Sequence, residues 1–445
     1  GADALYFLPL ALAWEEQEEE RLNGLAPAAL AKVRQQANVG VMGDAFYDEA
    51  FCRAMVQSIG AGLELPTAQG RLRFRPTAAF ASLAGAGFST LPVSRPSALS
   101  SNTVVNLDER LFLKGYRLLR PGLNPELEMG RFLTEVVAYP NCVPVAGALE
   151  YFGNDGRVMT LALVQAYVSN QGSGWDYTLG YLERFLDEVR TASDELPPDV
   201  HGGFLALARL LGRRTAELHR ALATRTGDPA FDPEAVTSED VLAWRERARR
   251  EVEGTLGLLR ERMAELPPAV REDAQALLLR HGALQARLAG EGIAAGTAGP
   301  KTRYHGDYHL GQLLVTDNDF VIIDFEGEPA RSFDERRAKG SPLRDVAGML
   351  RSFNYARWSA LKRVAQSAGD LVRLDAAVRA WEKATCAAFL AGYGEGAPAV
   401  DAGLLALFQL EKACYELRYE LNNRVDWVQV PLHGILALLD DSAAG

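Results

Sequence analysis

The spacing of apolar positions changes twice along the chain, and each change predicts a different kind of structure. Residues 1–95 carry two strand-like runs, ALYFLPLALAW and RLRFRP, and read as a compact α+β unit. From 96 to 170 strands dominate. NTVVNLDERLFLKGYRLL alternates apolar and polar side chains about Asp108-Glu109, the period-2 pattern of a hairpin. NPELEMGRFLTEV opens on Asn124-Pro125, a helix-start signal. A second hairpin, GALEYFGNDGRVMTLALVQAYV, turns at Asn154-Asp155-Gly156. Beyond Gln171-Gly172-Ser173-Gly174 the apolar residues recur every three or four positions and predict helices, as in FLALARLLGRRTAELHRAL and LAWRERARREVEGTLGLLRERMAEL. The division expected is therefore 1–95, 96–170 and 171–445, with the first segment bracing the β-rich second one and carrying no chemistry of its own.

The chain of 445 residues is long enough for more than one sizeable core. Acidic residues number 58 against 47 basic ones, a net charge of −11 that argues against a nucleic-acid partner. The four cysteines lie far apart without metal-ligand spacing and are expected to be reduced thiols of a cytoplasmic protein. No apolar run reaches membrane-spanning length, so no membrane partner is expected.

One run inside the helical part concentrates the chemistry: RYHGDYHLGQLLVTDNDFVIIDFEGEP, residues 303–329. LLV and FVIID read as short strands joined by Thr316-Asp317-Asn318-Asp319, which returns Asp324 close to Gln312. Carboxylates and an amide oxygen gathered in this way suit Mg²⁺, a hard cation that binds phosphate oxygens. The order H-G-D-Y-H-L-G-Q followed by D-F-E is that of the protein-kinase template, with Gln for Asn and Glu for Gly. That template assigns Asp307 as the base for an acceptor hydroxyl, Gln312 and Asp324 as Mg²⁺ ligands, and Glu326 as a further metal contact. It also requires an upstream lysine on a strand and a helical glutamate. Lys114 fits the first, for the α- and β-phosphates of ATP; Glu128 fits the second, with Glu126 as its substitute. LSSNTVV has no G-x-G-x-x-G pattern, so Ser100, Ser101, Asn102 and Thr103 are expected to cover the phosphates. Backbone groups from Gln165 to Tyr167 are expected to read adenine. His305 and Arg344 are read as braces of the loop.

Protein kinases carry A-P-E after D-F-G; this chain has E-R-R-A-K-G-S-P-L-R-D-V-A-G-M-L-R-S-F. With H-G-D-Y-H-L-G-Q and I-D-F-E-G-E-P, that run resembles bacterial maltokinases, small-molecule kinases similar to the aminoglycoside phosphotransferase group. The resemblance covers most of the chain. It implies an α+β, protein-kinase-like bilobal fold with an extra N-terminal cap subdomain, a β-rich N-terminal lobe and a mainly helical C-terminal lobe. It implies ATP and Mg²⁺ as cofactors, and maltose as acceptor, phosphorylated at its anomeric hydroxyl to maltose 1-phosphate for α-glucan synthesis. Some members are fused behind a trehalose synthase, which would suit a chain opening Gly1-Ala2 without methionine.

CYELRYELNNRVDWVQVPLHGI resembles the same family's sugar-binding segment. Tyr415 and Tyr419, like Glu416 and Glu420, stand one helical turn apart and can offer aromatic planes and carboxylates to a pyranose. The resemblance assigns His305, Tyr415, Glu416, Tyr419, Asn423, Arg424 and Trp427 to maltose. Val425 stands where the family has proline, and His433 where it has arginine; both bear on acceptor preference. The rival readings are a kinase for glucose, another sugar or an aminoglycoside, and a non-catalytic, glycan-binding pseudokinase. Intact Lys114, Asp307 and Asp324 weigh against the pseudokinase.

Overall fold

The structure is a computed structural model and describes residues 4–15, 18–96, 102–192, 197, 199–289, 299–397 and 400–440. The chain forms two compact units: residues 1–169 with 329–336, and residues 170–328 with 337–445.

The first unit is built on a seven-stranded antiparallel sheet in the order Glu64–Thr67, Gly70–Pro76, Val145–Gly153, Val158–Ala166, Leu111–Gly115, Thr103–Leu107, Val93–Ser94. Both predicted hairpins are present in it. The first turns through Asp108 and Glu109, whose φ values of 54° and 51° fit the two-residue turn that matches strand twist. The Asn106 side chain accepts the Glu109 N–H at 3.0 Å and helps fix that turn. Register then pairs Val104 with Lys114 and Thr103 with Gly115. Gly115 is required there, because a Cβ would run into the Phe46 ring. Asn124 caps the helix Pro125–Arg131 by accepting the Leu127 N–H at 3.1 Å.

The expected boundary at residue 95 does not divide the sheet. Gly70–Pro76 pairs along Val145–Gly153, and Val93–Ser94 pairs with the start of the next hairpin. The apolar faces of these strands share one core with the helix Glu49–Gly60, where Phe46, Val56 and Ile59 meet Val105, Leu113 and Val164. Each fully buried side chain of this kind contributes roughly 1.5–3 kcal/mol. Leu10–Trp14, Asn38–Asp44 and Ala29–Gln35 form a separate three-stranded sheet.

The second unit is mainly helical. Its longest elements are Gly202–Leu222, Ser238–Glu261, Leu343–Val364, Ala368–Gly394 and Ala402–Asn423. Thr237 and Asp240 close a capping box at the start of Ser238–Glu261, the helix that carries the predicted LAWRERARREVEGTLGLLRERMAEL stripe. Leu343–Val364 is buried on nearly every side, which places its polar residues Asp345 and Arg351 inside the unit. The predicted hairpin runs from Leu313–Thr316 to Asp319–Ile322, and Asp317 and Asn318 both take positive φ at its tip. Among the described residues no helix is long and apolar enough to cross a membrane.

Candidate active site

In the second unit, the loop Tyr304–His309 is held from behind by one buried carboxylate. Asp345 accepts the His305 N–H at 2.7 Å and the Gly306 N–H at 2.9 Å, and lies 3.1 Å from His219 Nε2. Gly306 has φ 85°, and a Cβ there would meet Gly327 Cα at 3.3 Å, so the loop needs glycine. The His305 ring packs between Tyr308 and Phe325, with Nε2 against the Ile323 carbonyl at 2.9 Å and Nδ1 accepting the Asp307 N–H at 3.3 Å. At 2% exposure, with both ring nitrogens engaged, His305 braces the loop and does not contact a sugar. Arg344 is turned to other partners: its guanidinium pairs with Glu411 at 3.0 Å and lies over Phe408.

This bracing presents Asp307, whose side chain is 21% exposed. Its carboxylate lies 3.4 Å from Lys412 Nζ and 3.9 Å from His309 Nε2. Burial lowers the His309 pKa while Asp307 opposes that shift, so the imidazole favours its neutral form beside the base. Lys412 also reaches Glu328 at 3.5 Å. Burial works against the Lys412 charge, but Asp307 and Glu328 outweigh it and hold the ammonium above the usual lysine range. Burial pushes the Glu328 carboxyl up, against the pull of Lys412.

The hairpin brings the expected metal ligands together. Gln312 accepts the Ile323 N–H at 3.0 Å through its carbonyl, and its side chain lies 3.1 Å from Asp324 Oδ2. Asp324 adopts φ 63°, a left-handed conformation that Asp tolerates better than most residues. Asp324 and Glu326 offer carboxylate oxygens within 4.8 Å of one another. Such hard oxygens fit Mg²⁺. The amide of Gln312 turns its N–H toward Asp324; the nitrogen and oxygen of an amide are interchangeable by rotation, and a cation between them would favour the oxygen. At the hairpin tip, Arg214 clamps Asp319 through two bonds of 2.9 and 2.6 Å.

In the first unit, Lys114 Nζ pairs with Glu126 Oε2 at 2.8 Å, and Tyr116 donates to the same oxygen at 2.5 Å. The preference for Glu128 is thus corrected in favour of its substitute. Two positions along a helix turn a side chain by about 200°, so the choice depends on helix phase, which the cap at Asn124 sets. Thr103 opens its strand and its hydroxyl accepts from Arg117 Nε at 2.7 Å, which ties it to the sheet. Asn102 precedes it; Ser100 and Ser101 lie outside the described residues. The Tyr167 N–H donates to the Arg110 carbonyl at 2.9 Å and the Ala166 N–H to Pro144 at 2.9 Å. These donors are engaged within the unit, which removes the Tyr167 N–H as a reader of adenine. Gln165 stands in the ladder opposite Phe112.

The predicted sugar segment lies on Ala402–Asn423 and just beyond it. Tyr415 is half-buried, its ring 5.0 Å from the Lys412 ammonium, and burial raises its hydroxyl to about 12. Glu416 is bound to Arg351 at 2.9 Å. Tyr419 is 46% exposed. Asn423 donates to the Tyr419 carbonyl at 2.8 Å, and Arg424 pairs with Glu420 while lying 5.6 Å from both the Tyr419 and Trp427 rings. Sequence reasoning missed Lys412, Glu328 and Asp345. Each falls in or beside a quoted motif, but Asp345 meets the loop across 39 residues of chain and Lys412 across 105.

A family model described as the phosphotransferase enzyme family matches residues 93–399, and the chain belongs to that family. A glucosamine kinase of Streptacidiphilus jiangxiensis is 31% identical over 288 residues, 63% of this chain and 58% of the relative. One of Mycolicibacterium smegmatis is 31% identical over 234 residues, 53% of this chain and 54% of the relative. The chain therefore spans little more than half the length of these curated relatives. A glucosamine kinase in crystal form B superimposes with a TM-score of 0.65 at 24% identity, covering 98% of this chain and 95% of the other. Its counterpart in complex with glucosamine, ADP and inorganic phosphate gives 0.64 at 23% identity with the same coverage. At these identities the likeness establishes the fold, a β-sheet N-terminal part with a helical C-terminal part.

Proposed function

We propose that this chain transfers the γ-phosphoryl group of ATP to a hydroxyl of a small sugar. The observation that carries the reading is Asp307: a part-exposed carboxylate, fixed by a loop whose backbone is tied to Asp345, beside a face of tyrosine, lysine and paired acids. Asp307 accepts the proton of the acceptor hydroxyl as the new O–P bond forms and the bond from γ-phosphorus to ADP breaks. Lys114, anchored by Glu126, is assigned to the α- and β-phosphates. Gln312, Asp324 and Glu326 would hold Mg²⁺, which when bound neutralises phosphate charge. Phosphoryl transfer demands mainly positioning and charge placement, and a buried carboxylate behind the loop supplies the positioning.

The names of the relatives put glucosamine and other hexoses first on the acceptor panel. The test is ADP release with ATP and Mg²⁺ against glucose, glucosamine, maltose and an aminoglycoside. Sugar-dependent release supports the reading; release with the aminoglycoside alone, or with no acceptor, overturns it.

Maltose, giving maltose 1-phosphate, is a second reading, favoured by the length of the aromatic segment. At 1.5 Å per residue, Asn423 stands roughly 16 Å along the helix from Lys412. A single ring beside Asp307 would not reach Arg424 or Trp427, whereas a second ring extends toward them. Trp427→Ala should then raise KM for maltose and leave KM for glucose unchanged; equal effects on both sugars would remove this reading.

A further inference from the structure

We infer that Lys412 is a built-in occupant of the place where a cationic acceptor would bind, so that the site selects neutral sugars over sugars bearing a protonated amine. This rests on the sugar-kinase reading above and names its substrate class. The ammonium bridges Asp307 at 3.4 Å and Glu328 at 3.5 Å. Both separations exceed the 2.7–2.9 Å usual for charge-assisted bonds, so neither acid locks it in place. An ammonium has three N–H donors; with two directed at the acids, one remains for a sugar hydroxyl, which can in turn donate to Asp307.

The other acids on this face are also matched. Glu411 lies 2.7 Å from Arg247 and 3.0 Å from Arg344, Glu416 2.9 Å from Arg351, and Glu251 3.0 Å from Arg418. The Tyr415 ring lies between two cations, 5.0 Å from Lys412 and 5.9 Å from Arg418. Among the described residues, each carboxylate facing Lys412 already has a cationic partner. A substrate amine would have to displace one of them, while a hydroxyl at the same carbon would not. The helix Ala402–Asn423 fixes the backbone at Lys412, because Glu411, Ala413 and Cys414 beside it are buried.

Glucose and glucosamine differ only by hydroxyl against amine at one carbon and form the probe pair. With full-length protein, ATP and Mg²⁺, kcat/KM is measured for each at pH 6.5 and 8.5. Wild type should favour glucose by roughly 10-fold or more at the lower pH, where the amine is charged. The gap should narrow at the higher pH, since amines of this kind lose their proton near about 8. Lys412→Met should close or invert the gap, and Lys412→Arg should keep it; a melting curve for each variant checks folding. If only maltose is turned over, the two monosaccharides are compared as competitive inhibitors of that reaction, with the same ordering expected. Equal preference in wild type, or a Lys412→Met variant that loses both acceptors in equal proportion, overturns the inference while leaving the kinase reading intact. No turnover with any sugar overturns the kinase reading, and the inference falls with it.

Discussion

The carboxylate of Asp345 receives the backbone N–H of His305 at 2.7 Å, across 40 residues of chain. Together with the Gly306 N–H and His219, this single buried side chain determines where the Asp307 loop lies. Asp345→Ala should therefore leave two buried backbone donors unsatisfied, at about 1–3 kcal/mol each. Thermal unfolding should show a drop of several degrees, with turnover lost as well. An unchanged melting temperature with normal turnover would show that the loop holds its shape by other means.

The Lys114–Glu126 pair makes a second prediction, in the first unit. Both side chains are buried, at 10% and 3% exposure, so removing the acid takes a close countercharge from a lysine in low dielectric. Glu126→Ala should cost roughly 3 kcal/mol of stability, and KM for ATP should rise because the lysine loses its anchor. Steady-state kinetics at varied ATP, with a urea unfolding curve, would check both. A variant with unaltered stability and KM would contradict the assignment.

Much of this architecture was legible in the sequence because it depends on neighbours. The Asp108-Glu109 turn, the Asp317-Asn318 tip and the Asn124 cap are local, and alternation or helical period fixes the strands and helices around them. The order H-G-D, Gln, D-F-E likewise placed Gln312 beside Asp324, since a tight hairpin joins them. What escaped was long-range. The first 95 residues share a sheet with later strands because Gly70–Pro76 pairs with Val145–Gly153, a partnership no local spacing reports. Lys412 meets Asp307 across 105 residues. Glu126 and Glu128 differ only by helix phase, and the Tyr167 N–H is taken up by the Arg110 carbonyl 57 residues back, a pairing that local spacing does not report.

A pH effect follows from Glu328. Burial raises its folded carboxyl above the ordinary glutamate value near 4.5, so the folded state binds this proton more tightly than the unfolded chain. Its contribution to stability is complete below about 4.5 and is lost as pH rises through the folded value. Glu328→Gln, which never ionises, should therefore gain in melting temperature relative to wild type as pH is raised from 5 to 8. A difference that stays constant with pH, or that runs the other way, would contradict the burial argument.

Under the proposed function, Asp307 serves phosphoryl transfer from ATP to a sugar hydroxyl. The most direct measurement is ³¹P NMR of the products formed from ATP, Mg²⁺ and the acceptor panel by wild type and by Asp307→Asn. Wild type should form one sugar monophosphate for each ADP. The variant should react more slowly by roughly 10²- to 10⁴-fold, with ATP binding retained. ADP formed without a sugar phosphate, or near-normal sugar phosphorylation by Asp307→Asn, would contradict this role.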